Sequence, residues 1–80
     1  MIREGKPEDA LLLLQEAIKH NPELAASYNN LGVVYAQLGR TDMAIVQFQQ
    51  ALKIVPHFED ARKNLMKMLQ KRTEKTLSGK

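Results

Sequence analysis

The side chains that could act on a substrate are few in this 80-residue chain, and they are scattered. His20 and His57 are its two histidines, each close to a proline, and no HExxH-like pair sets two imidazoles on one helix face. Ser27 and Ser78 have no neighbouring His/Asp arrangement to activate a hydroxyl, and no glycine-rich loop follows a strand to cradle phosphate. Cysteine is absent, which removes thiolate nucleophiles, thiolate metal ligands and disulfides. The acid pairs Glu8/Asp9 and Glu59/Asp60 fall at the expected starts of helices, where the positive end of the helix dipole accounts for them better than acid–base work. The sequence therefore predicts no catalytic residue, no metal site and no cofactor. What remains is the chemistry of recognition: side-chain amides, small apolar residues and a row of lysines.

Those groups need elements to hold them, and the composition supports elements that fold. Hydrophobic residues make up 44% of the chain and charged residues 26%, a balance typical of a single small globular domain. The longest apolar run, from Ala10 to Leu14, is far too short to span a membrane. Arg3 and Glu4 follow Met1 and Ile2 directly, so no signal-peptide pattern is visible, and with no cysteine the cytoplasm is favoured. The net charge of +3 is uneven. Residues 59–80 hold seven Lys/Arg against three acids, for +4, which leaves −1 on the first 58.

Sliding the sequence against itself by 34 positions aligns Gly5 with Gly39, Ala10 with Ala44, Gln15 with Gln49, and Ala17 with Ala51. Lys19 meets Lys53 and Pro22 meets Pro56 in the same frame. The similar pairs Leu11/Ile45, Leu14/Phe48 and Ile18/Leu52 join them. A second shift sets Asn30 and Leu31 on Asn64 and Leu65. Within each unit the apolar residues recur at helical spacing, as in Ala44, Ile45, Phe48, Ala51 and Leu52. Four helices are predicted, over residues 7–20, 24–38, 41–54 and 58–72, with Thr41 as an N-cap and Pro22 and Pro56 as terminators. Short connections make sequence neighbours antiparallel.

The central unit carries Tyr28-x-x-Leu31-Gly32-x-x-Tyr35, then Ala44-x-x-x-Phe48, then Pro56. This arrangement resembles the tetratricopeptide repeat, a helix–turn–helix unit that stacks into solenoids. The resemblance covers one complete repeat over 25–58, a partial repeat over 1–24 and a capping helix over 59–72, with a basic flexible tail over 73–80. It implies an all-α fold. In that fold Gly32 would permit close approach of a neighbouring helix, with Tyr28, Tyr35 and Phe48 interdigitating across the contact. Met66 stands where Gly32 stands one unit earlier, and with its polar neighbours marks the last helix as a cap.

The resemblance also implies that the first helix of each unit lines a concave groove for a peptide or helix of a partner protein. One face of helix 24–38 carries Ala26, Asn29, Val33, Ala36 and Gln37, and the corresponding face of helix 58–72 carries Asp60, Lys63, Lys67, Gln70 and Lys71. Small and amide side chains beside lysines suit a backbone with acidic side chains. Asn30 is expected to be structural. The clamp by which one subgroup of the family holds chaperone C-termini is not expected, because Asp60 and Asn64 stand where it needs Lys and Arg. The tail has no aromatic residue to stack on bases, so neither nucleic acid nor membrane is the expected partner. An alternative is self-association through helix 7–20, whose run Leu11–Leu14 exceeds what one buried stripe needs.

Overall fold

The computed structural model describes residues 6–78, with side chains through residue 73. Four helices follow one another: α1 (Pro7–His20), α2 (Ala25–Gln37), α3 (Thr41–Ile54) and α4 (Glu59–Ser78). No strand occurs among the described residues. The first three agree with the sequence expectation to within a residue at each end. The fourth continues six residues beyond the expected end at 72, into the segment expected to be a flexible tail. Residues 73–78 contain neither glycine nor proline, and Glu74, Lys75 and Leu77 are good helix formers, so nothing local stops the helix. The last two residues of that expected tail lie outside the described residues.

The ends of the helices follow from sequence. Pro7 opens α1 at a position whose N–H would have no partner anyway, and Glu8 and Asp9 stand in its first turn. α1 ends with the Asn21 N–H on the Ala17 carbonyl at 2.9 Å, and the Leu24 N–H then donates to the Asn21 carbonyl at 3.2 Å. Pro22 thus occupies the second position of a tight turn that suits its fixed φ. The same bonds recur one unit later, from the Val55 N–H to the Ala51 carbonyl at 2.8 Å and from the Phe58 N–H to the Val55 carbonyl at 3.0 Å, with Pro56 in the matching place.

Between α2 and α3 the chain turns differently. Gly39 sits at φ +79°, in left-handed backbone that strains any residue bearing a Cβ. Its N–H donates to the Ala36 carbonyl at 3.0 Å, and the Arg40 N–H donates to the Tyr35 carbonyl at 2.9 Å. This crossed pair is the Schellman closure of a helix. It leaves Arg40 as the residue preceding α3, so Thr41 is the first helical residue rather than the N-cap expected of it.

α2 is wedged between α1 and α3, α3 also packs on α4, and α2 meets α4 beside it. The thinnest dimension of the molecule is 18 Å, about two helix diameters. One cluster of buried residues joins Leu31, Tyr35, Ala44 and Phe48, with Leu11, Leu14 and Ile18 of α1 and Leu65 and Met68 of α4 packed against it. A second joins Ala25, Ala51 and Ala61 with Tyr28, Leu52 and Phe58 around them. Tyr28 therefore does not interdigitate with Tyr35 and Phe48 as expected, but packs with the alanines at the other end of α2. Gly32 is explained by a ring rather than by a helix backbone. A Cβ built there would lie 2.7 Å from Cδ1 and 2.8 Å from Cζ of Phe48, with Cε1 closer still. Phe48 itself is 1% exposed.

α1 is held less deeply. It contains no buried residue, and its Ala10, Leu14 and Ala17 are half-buried where Ala44, Phe48 and Ala51 are sealed. Leu12 and Leu13 are 66% and 72% exposed.

Candidate functional site

The side-by-side contact of α2 and α4 leaves a cleft of about 260 Å³. α2 contributes Val33, Ala36 and Gln37 to its wall, and α4 contributes Asn64, Lys67 and Met68. Phe48 reaches it from α3. The physical reason is Gly32: with no side chain there, the phenyl ring lies over the α2 backbone one turn from Ala36. The site is therefore an apolar floor with an ammonium and two carboxamides around it. That arrangement can seat a side chain and bond to a backbone.

Of the residues expected to bind a partner, Val33, Ala36, Gln37 and Lys67 converge on this cleft. Ala26, Asp60 and Lys63 are exposed but lie outside its wall, as do Gln70 and Lys71. Asn29 is turned inward. It is only 9% exposed, and its Oδ1 accepts a hydrogen bond from Asn64 Nδ2 at 3.0 Å. Asn29 therefore holds α4 against α2 and fixes the carboxamide of Asn64 at the cleft. Asn30, expected to be structural, is exposed. The two adjacent asparagines have exchanged the places expected of them.

Sequence reasoning missed Asn64, Met68 and Phe48 as cleft residues. A signal existed for the first two: Asn64 and Met68 are one turn apart on α4 and flank Lys67, which was selected. Phe48 was visible only as a core residue.

The charges of α4 are of two kinds. Arg62 pairs with Glu59 on the same helix, and Arg72 Nη1 lies 3.2 Å from Asp42 Oδ1 of α3. Both pairs are solvent-exposed and contribute little stability. Lys63, Lys67 and Lys71 are exposed and have no ion-pair partner among the described residues. Elsewhere, His20 lies 3.4 Å from Glu16 on the exposed side of α1, and His57 is exposed in the second proline turn. Among the described residues no group of three or more His, Asp or Glu could hold a metal, and no helix is long and apolar enough to cross a membrane.

Comparison with known proteins agrees with this architecture. A family model described as the tetratricopeptide repeat matches residues 25–58, and a second, described as a TPR repeat, matches residues 2–39. Among similar curated proteins, the tetratricopeptide repeat domain-containing protein PYG7, chloroplastic, of Arabidopsis thaliana is 36% identical over 82 residues, covering 98% of this chain. Protein FlbA of Caulobacter vibrioides is 34% identical over 60 residues, covering 75% of the chain. Tetratricopeptide repeat protein 17 of Danio rerio is 32% identical over 72 residues, covering 89%. The matched region spans only 27%, 10% and 6% of those three proteins respectively. Two family models that together cover residues 2–58, and four helices whose turns repeat at the family's spacing, lead to one conclusion: the chain belongs to the tetratricopeptide repeat family.

Proposed function

We propose that the chain is a noncatalytic interaction module that seats a segment of a partner protein in the cleft between α2 and α4. Repeats of this family generally mediate protein–protein interactions, and family members are typically scaffolds rather than enzymes. The observation that carries the reading to this cleft is the convergence there of Val33, Ala36, Gln37 and Lys67. An apolar floor bordered by a few placed polar groups is the usual form of a site that takes a side chain and orients its backbone.

The test is site-specific photocrosslinking. Benzoylphenylalanine placed at Val33, 37% exposed at the cleft, should capture a bound partner. The same probe at Val46, 54% exposed on α3 and outside the cleft wall, should not. Equal capture at both positions would remove the cleft from consideration.

A second reading, association of two copies through α1, is supported by the exposure of Leu12 and Leu13. Magnitudes place it behind the first. Burying Leu12 and Leu13 of both copies, four side chains, contributes at most about 6–12 kcal/mol, from which association takes about 4 kcal/mol or more. A micromolar dissociation constant needs about 8 kcal/mol net.

A further inference from the structure

We infer that the segment taken by the α2–α4 cleft is an extended, internal stretch of acidic chain with one aliphatic anchor. The inference rests on the cleft reading above and specifies its occupant.

Lys63, Lys67 and Lys71 recur every four residues, so they lie along one side of α4. Each step rises about 6 Å along the helix. Every second residue of an extended chain advances about 6.6–6.8 Å. A strand-like peptide running beside α4 can therefore set alternate carboxylates against successive lysines with little loss of register. The lysines are available for this. The two arginines of α4 are engaged by Glu59 and Asp42, whereas the three lysines are unpaired among the described residues. Only Lys67 also belongs to the cleft wall, so one point on the row is coupled to the apolar floor. An aliphatic side chain entering between Val33, Ala36 and Met68 would fix the position of the acidic residues along the row.

The carboxamides favour an extended occupant over a helical one. Asn64 spends its Nδ2 on Asn29, which leaves its Oδ1 as an acceptor at the cleft, and the Gln37 amide is without a hydrogen bond there. A helix satisfies its own backbone groups, while an extended chain presents N–H and C=O groups that need partners. The charge layout favours an internal segment over a chain end. Lysines spaced over two turns match carboxylates distributed along a peptide, not a single terminal carboxylate.

The experiment uses the full chain and a short peptide of alternating glutamate and serine with one central leucine, acetylated and amidated so that neither end is charged. Fluorescence anisotropy should show binding that weakens as salt rises. Replacing the glutamates by glutamine, or introducing Lys67→Glu, should each weaken binding about tenfold or more. Lys53→Glu, the same charge change at an exposed position of α3, should leave affinity within about twofold, because Lys53 belongs neither to the cleft wall nor to the lysine row of α4. A peptide with a free C-terminal carboxylate should bind no better than the amide. The inference is overturned if the glutamine peptide binds as well as the glutamate one and Lys67→Glu has no effect. If that happens while benzoylphenylalanine at Val33 still captures the leucine peptide, the cleft reading stands and only the acidic class is wrong. If no peptide binds or is captured, both fall.

Discussion

Gly32 and Phe48 show how one missing side chain organises its surroundings. The ring occupies the volume a Cβ would need, and an interior glycine otherwise costs a helix about 1 kcal/mol. Gly32→Ala therefore sets a helix-propensity gain of about 1 kcal/mol against overpacking of about 1–3 kcal/mol on a buried ring, and the second should win. Calorimetry should show a lower Tm for the variant. Adding Phe48→Leu should cost less in the Gly32→Ala background than in wild type, because the smaller side chain relieves the clash. Additive effects would mean that ring and glycine are not in competition. The sequence contains its own version of the exchange. One unit on, Met66 replaces the glycine and is 58% exposed, with no ring over it.

At the scale of elements, the four helices are unequally held. α3 buries Ala44, Ile45, Phe48 and Ala51, whereas α1 buries no residue completely and is held through half-buried Leu11, Leu14 and Ile18. Local opening follows how much apolar contact an element must give up. Amides in the middle of α1 should exchange with solvent about tenfold faster, or more, than those of residues 45–51 under native conditions. Uniform protection across the two helices would show that α1 opens only with the whole domain. Much of this was legible beforehand. Proline, glycine and alanine repeating in one frame, with apolar residues at helical spacing between them, give helix number, order and turns without reference to any partner. The end of α4 was not legible, because a charge-rich segment reads as a tail although residues 73–78 contain no residue that stops a helix. The exchange of Asn29 and Asn30 had a different cause. Neighbouring helical positions differ by about 100° around the axis, and apolar spacing alone does not fix the rotation to within one residue. Only the packing of α4 decides which asparagine turns inward, and that contact joins residues far apart in sequence.

For the molecule as a whole, what needs explaining is which surface meets other molecules. The cleft offers an open apolar floor beside a lysine ammonium. The outer side of α1 offers two adjacent, largely exposed leucines. Association through the second should accordingly be weak. Sedimentation should show a monomer at low micromolar concentration, with larger species only near the hundreds of micromolar, where about 5 kcal/mol suffices. Leu12→Gln combined with Leu13→Gln should abolish those larger species. A tight dimer at low micromolar that survives this double substitution would mean that another face joins the copies. The two proline turns bear on the overall shape. Their hydrogen bonds are the same one unit apart, yet Asn21 begins one and Val55 the other. Each bend is closed by backbone groups and a ring-locked torsion, so its angle does not depend on those side chains. The joints are thereby interchangeable, and transplanting residues 55–58 onto 21–24 should leave the angle between α1 and α2 unaltered.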